Sequence, residues 1–234
     1  MSPQDRDRLS VDDAQILGLE SATITGHTLK LVVLEPDANP LDLDALRAGV
    51  AKRLASQPRA TQRVDVSGSE PRWVDSTDFD ICAHVRRQAN SGCASRDDLW
   101  RTVSDLMSEH LDRKRPLWTF DLIGPLADGR EAIAVRIHHA MADGIVAVRF
   151  LDDVLWEPHL DPPAGERAQP GVHSAAAHSW LAEAWRMAGA VRRELGHPGS
   201  RSPFDHPISG SRALAFTVAP LAELKAIGAS RPAR

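Results

Sequence analysis

The stretch from Trp118 to Leu155 constrains the fold more than any other part of the chain. Two apolar runs, Trp118 to Ile123 and Ala132 to His138, flank a turn signal at Asp128-Gly129 and read as two strands joined by a turn. In the second run Ile133, Val135 and Ile137 alternate with Ala134, Arg136 and His138, the pattern of a half-buried strand. A helical pattern from about Gly144 to Leu155 completes a strand, loop, helix unit. The loop between them carries His138-His139-Ala140-Met141-Ala142-Asp143-Gly144.

Elsewhere the chain mixes strand and helix signals without strict alternation. Thr28 to Leu34 is β-branched and apolar, and reads as a strand. Asp42 is placed to cap a helix whose Leu43, Leu46, Val50 and Leu54 share one face. Arg63 to Val66, Arg72 to Val74 and Phe79 to Val85 look extended, with turn-like clusters between them. Ser95 and Asp98 form a capping-box pattern, and Leu99, Val103, Leu106, Met107 and Leu111 mark a buried stripe that predicts a helix to about Leu111. Residues 157–173, with four prolines and two glycines, read as a linker or crossover, and Ser174 to Leu195 as a helix. Arg212 to Val218 predicts one more strand and Leu221 to Ile227 a short helix. The fold class expected is α+β, a mixed α/β layered sheet.

Composition narrows the function. With 42% hydrophobic and 26% charged residues the chain is a globular protein, and a net charge of −4 gives no clustered positive charge for nucleic acid. Cys82 and Cys93 sit in no ligand spacing, so a cytoplasmic setting is the default. The residues after Met1 carry no apolar stretch of a signal peptide, and no run approaches the ~18 apolar residues of a membrane span.

The chemistry is concentrated in the loop. Neighbouring side chains on an extended backbone point to opposite faces, so only one of His138 and His139 can face a given cavity and the other must be structural. A neutral imidazole can take a proton from an alcohol as that alcohol attacks a carbonyl, an effect worth about two to four orders of magnitude in rate. Asp143 can fix the loop or a ring tautomer, and Gly144 can permit a turn that a Cβ would obstruct. Three other readings compete: a satisfied core histidine, a metal site short of ligands, and an HxxxxD pair formed by His138 and Asp143.

At these residues the chain resembles the bacterial wax ester synthase/diacylglycerol acyltransferases, whose HHxxxDG motif His138 to Gly144 matches. Arg115-Pro116-Leu117-Trp118 looks like the family's PLW element. Pro71-Arg72-Trp73-Val74-Asp75, Phe79-Asp80 and His84-Val85-Arg86-Arg87 resemble its upstream segment. Leu9 to Ala14, and Pro207-Ile208-Ser209-Gly210 through Leu221 to Lys225, are similar to its start and to the stretch after its crossover.

The resemblance implies a chloramphenicol acetyltransferase-like fold and an O-acyltransferase without a cofactor. Acyl-CoA is then a substrate, and diacylglycerol or a fatty alcohol the acceptor. It makes His139 the general base, leaves His138, Asp143 and Gly144 supporting it, and gives Pro116, Leu117 and Trp118 a place along the acyl or coenzyme A channel. For Trp118 an ordinary core position is an equal reading. Family members are about twice this size, built from two similar domains. The expected division is therefore 1–156 as the amino-terminal acyltransferase domain, 157–211 as linker and crossover helix, and 212–234 as the start of a truncated second domain. A non-catalytic lipid-binding half, or a partner to a separately encoded carboxy-terminal half, is the alternative reading, and amine-acceptor condensation chemistry a third. The 174–195 helix, with Trp180 and Trp185, suggests either core packing or a peripheral membrane or lipid-droplet surface.

Overall fold

The computed structural model of the chain describes residues 7–37, 39–68, 70–89, 95–156, 207–216 and 219–230. All but Pro207 and Ile208 fall within one compact unit; the expected linker and the Ser174–Leu195 helix lie outside the described residues. The unit is built on a four-stranded mixed sheet. Its strands are β1 (His27–Leu34), β4 (Val85–Arg87), β5 (Trp118–Ile123) and β6 (Glu131–His138), in the order β1-β6-β5-β4. The pairs β1·β6 and β5·β6 are antiparallel, whereas β4 runs parallel to β5. A separate hairpin joins β2 (Gln62–Asp65) and β3 (Arg72–Asp75).

Five helices complete this part of the fold: α1 (Val11–Gly18), α2 (Leu43–Arg53), α3 (Ile81–His84), α4 (Arg96–Ser108) and α5 (Gly144–Leu155). Asp42 caps α2 by accepting from the Asp44 and Ala45 N–H groups, and Ser95 with Asp98 forms the reciprocal box that starts α4. One core layer packs Val50 of α2 and Phe150 and Val154 of α5 against Ile133, Val135 and Ile137 of β6. A second packs Leu99, Val103 and Leu106 of α4 against Ala132 and Ala134 on the other face. A third cluster ties Leu17, Val64, Trp73 and Leu111 to Leu117 and Ala140.

Four elements depart from the sequence-based expectation. β6 is buried at all eight residues rather than half-buried, because α4 covers the face that Ala134, Arg136 and His138 share. Phe79 to Val85 is not one extended piece: Asp80 accepts from the Cys82 N–H at 2.9 Å and starts α3, and only Val85–Arg87 joins the sheet. α4 ends at Ser108, short of Leu111, where the Arg136 guanidinium takes the Leu106 carbonyl at 2.9 Å, as a cation at a helix C-terminus does. Leu111 is buried all the same, in a different cluster. Residues 212–216 form no strand. The Arg212 side chain holds the Thr23 carbonyl at 2.5 Å and its N–H donates to Ser108 Oγ, while Phe216 stacks on Trp100. A last helix, α6 (Leu221–Ser230), has no buried residue.

The face of the sheet that α4 covers has polar residues to satisfy, on β5 as well as β6. Asp121, fully buried, accepts from Arg86 Nε at 2.5 Å, Gln88 Nε2 at 2.7 Å and Thr119 Oγ1 at 3.0 Å, and pairs with Arg136 at 3.3 Å. Such a charge needs its partners, since burying a carboxylate alone costs several kcal/mol.

Candidate active site

The HHxxxDG residues begin inside this sheet and leave it within one step. His138, the last residue of β6, is fully buried, and its N–H donates to the Leu117 carbonyl at 3.0 Å. The His139 N–H donates instead to the Gly26 carbonyl at 2.9 Å, and its side chain is exposed. The alternation of side chains along an extended chain separates the two rings in this way.

His138 is held from both ring nitrogens. Nε2 lies 3.0 Å from Glu20 Oε1, and the Ala140 N–H donates to Nδ1 at 3.1 Å. The Ala140 N–H leaves Nδ1 as the acceptor, so the neutral ring carries its proton on Nε2 and donates it to Glu20. Burial pushes the His138 pKa below the ordinary histidine value, and the Glu20 carboxylate opposes that shift. Glu20 is itself tied to Arg113, whose Nε donates to Oε2 at 2.5 Å and whose second nitrogen reaches the Leu17 carbonyl at the end of α1. The His138 carbonyl accepts from the Met141 and Ala142 N–H groups, folding the loop back on the strand end.

Asp143 ends the loop. Its side chain accepts from the Val146 N–H at 2.9 Å as the N-cap of α5. Gly144 does not do what its sequence position suggested. A Cβ there meets nothing within 4 Å, and its φ is not positive. The glycine that this site requires is Gly26, with φ +66°, where a Cβ would stand 2.4 Å from His138 Nε2.

Pro116, Leu117 and Trp118 are all buried. Leu117 supplies the carbonyl that anchors His138. Trp118 donates its indole N–H to the Ala60 carbonyl at 2.8 Å, stacks on His84 at 4.6 Å and meets Phe120 and Phe150 edge-on. It therefore occupies a core position, yet with Pro116 it also lines a cavity of about 320 Å³ shared with His84, Arg86, Arg115 and Arg136. His84 Nδ1 donates to the Trp118 carbonyl at 2.7 Å, and the ring is sandwiched between Phe79 and Trp118. A carbonyl can only accept, so His84 Nδ1 carries the proton. Among the described residues no group of three or more His, Cys, Asp or Glu side chains is placed to hold a metal ion. No helix of the described residues is long and apolar enough to cross a membrane.

Glu20, Gly26 and Arg113 are the site residues that sequence reasoning missed. Glu20 and His138 lie 118 positions apart, and no periodicity or spacing links them. A lone glycine just ahead of a predicted strand was the one available sign, and it does not say what approaches it.

Comparison with known proteins places these residues in a family. The sequence model of the wax ester synthase/diacylglycerol acyltransferase catalytic domain matches residues 9–193. The probable diacylglycerol O-acyltransferase tgs1 of Mycobacterium tuberculosis H37Rv is 40% identical over 124 residues, 52% of this chain and 26% of that protein. The probable diacylglycerol O-acyltransferase tgs3 of the same strain is 31% identical over 172 residues, 66% of this chain and 63% of its own length. The chain thus spans only part of each of these relatives. Its fold matches the wax ester synthase/diacylglycerol acyltransferase of Marinobacter aquaeolei VT8 with a TM-score of 0.65 at 23% identity, over 96% of this chain and 55% of that one. The starter condensation domain of rhizomide synthetase matches with a TM-score of 0.51 at 14% identity, over 63% and 36% of the two chains. The fold is the chloramphenicol acetyltransferase-like one expected from the motifs. With a catalytic-domain match running from Leu9 through the HHxxxDG loop and beyond it, the chain belongs to the wax ester synthase/diacylglycerol acyltransferase family.

Proposed function

We propose that this chain carries the general base of an O-acyl transfer from a long-chain acyl-CoA to diacylglycerol or a long-chain alcohol, with His139 as that base. The observation that supports it is the division between the two histidines: one ring is buried and bonded at both nitrogens, the other is exposed at the end of the same strand. His139 Nε2 or Nδ1 removes the acceptor's hydroxyl proton as its oxygen attacks the thioester carbonyl carbon. Collapse of the tetrahedral intermediate breaks the C–S bond, and the imidazolium returns the proton to the departing thiolate, giving ester and free coenzyme A. His138 and Asp143 support the loop, and Pro116 and Trp118 meet substrate where they line the cavity beside β5. Acyl-CoA is consumed as substrate, so the chemistry asks for no bound cofactor.

A second reading, a lipid-binding or split part of such an enzyme, is favoured by Ile145, Val146 and Val148. These lie on the helix that follows the motif and are 68%, 48% and 48% exposed. Release of coenzyme A thiol from palmitoyl-CoA with hexadecanol or diolein tests both. The first reading expects a rate that His139→Ala lowers about 100- to 10,000-fold. A wild-type chain no faster than His139→Ala rejects it, and binding of the acyl chain without thiol release supports the second.

A further inference from the structure

We infer that Glu20 is a positioning residue for this site: acting through the neutral His138 ring, its carboxylate holds residues 138–142 in the conformation that presents His139. The inference rests on His139 being the base, and adds to it the means by which that base is aimed.

The argument starts from what each atom can do. The Glu20 carboxylate is 7% exposed and accepts from two groups, Arg113 on one oxygen and His138 Nε2 on the other. A neutral imidazole has one donor and one acceptor. Giving its proton to Glu20 leaves the Nδ1 lone pair to receive the Ala140 N–H, two residues along the loop. The ring is therefore a rigid strut between a carboxylate anchored at the end of α1 and a backbone amide of the catalytic loop. His139 sits between the two bonded residues, with its own N–H on Gly26. Its side chain takes no part in the strut and is free to face solvent or substrate.

Only one protonation state and one tautomer satisfy both ends. With Nδ1 protonated instead, an N–H would face the Ala140 N–H and a lone pair would face a carboxylate. A doubly protonated ring keeps Glu20 but repels Ala140. The charged and titratable groups around the ring are Glu20, Arg113 and His139, with His27 opposite His138 in the β1·β6 register. Burial first, and then the Arg113 and His139 charges, disfavour a charge on His138 and lower its pKa, against the opposing Glu20 carboxylate.

Side-chain ¹⁵N spectroscopy of the full chain reads the ring directly, and amide hydrogen exchange at Ala140 reads the loop; neither needs activity. The wild type should show the Nε2-protonated form of His138. Glu20→Gln has one acceptor oxygen for the two donors, Arg113 and His138 Nε2, and turns an N–H group toward the other, so Ala140 exchange and thiol release should fall between those of wild type and Glu20→Ala. Glu20→Ala leaves the buried N–H unpaired and should speed Ala140 exchange about 10- to 100-fold, with a comparable fall in kcat and an unchanged KM for palmitoyl-CoA. Should Glu20→Ala not fold, Glu20→Asp withdraws the carboxylate by one methylene and should raise exchange by a smaller factor. Wild-type tautomer and exchange in the folded alanine variant, or in Glu20→Asp where that one is used, overturn the inference whatever the activity. A wild-type chain that shows the strut and its response to substitution but releases no thiol supports the strut and rejects the acyl-transfer reading.

Discussion

Replacing Gly26 with alanine tests whether the contact between β1's entrance and the motif is as tight as the geometry requires. Two costs add. At φ +66° a Cβ crowds the neighbouring carbonyl, about 1–2 kcal/mol for an L-residue other than glycine. The same Cβ would stand 2.4 Å from His138 Nε2 and 3.0 Å from Glu20 Cγ, so one of them must move. His138 is fully buried and bonded to Glu20 and Ala140, so displacing its ring breaks one bond of about 1.5–3 kcal/mol to a charged group or one of about 1 kcal/mol to the amide. The sum is about 2–5 kcal/mol. At roughly 2–4 °C per kcal/mol for a domain of this size, thermal unfolding followed by circular dichroism should fall by about 10 °C. Gly144→Ala is the matched control: its Cβ enters open space at the first turn of α5, and alanine there should be neutral or add up to about 1 kcal/mol. A Gly26→Ala variant within about 1 kcal/mol of wild type, or a Gly144→Ala loss as large as that at Gly26, refutes the packing argument.

Three further outcomes follow from other polar groups. His27 is 7% exposed with both ring nitrogens unpartnered among the described residues, and burial, then the Arg136 charge, lowers its pKa from 6.5 to about 4. Below pH 6.5 the unfolded chain takes up a proton that the folded chain refuses, so urea unfolding should show stability falling by about 3 kcal/mol between pH 6.5 and 4, and His27→Leu should flatten much of that slope. Arg136→Met leaves Asp121 buried with Arg86, Gln88 and Thr119 as remaining partners, and should cost about 3 kcal/mol, the lower end for a broken buried pair, in the same unfolding assay. Asp143→Ala should lose about 1 kcal/mol by removing the cap of α5, while Asp143→Asn, an equal capping residue, should stay within a few tenths; a large loss in the asparagine variant would mean that the charge, not the cap, is what matters.

What was legible in the sequence was what repeats locally. Asp42, Ser95 and Asp98 announced their helices because capping is a relation across two or three residues, and Gly144–Leu155 was bounded correctly by its own periodicity. β6 was placed correctly but read as half-buried, because Arg136 and His138 look like a solvent face until Asp121, Leu106 and Glu20 arrive from distant segments to satisfy them. The stretch 212–216 failed for the converse reason. Its larger apolar residues, Leu214 and Phe216, alternate with alanines as in a strand, but the Arg212 guanidinium bonds the Ser209 and Thr23 carbonyls and its backbone N–H bonds Ser108 Oγ, contacts that no local pattern announces.

The same distinction explains why the site was half visible. That two adjacent histidines must diverge follows from strand geometry alone: His138 is the last residue of β6, paired with His27 of β1, and the next N–H, that of His139, reaches Gly26 just before β1. Which ring is held could not be read from the motif, because what holds it is a carboxylate 118 residues upstream and an arginine 93 residues beyond that carboxylate. Two histidines with the same local sequence thus acquire opposite characters, one desolvated and bonded at both nitrogens, the other exposed, from a contact that only the folded chain brings about. A motif names the residues that chemistry can use; the long-range partner decides which of them is free to use it.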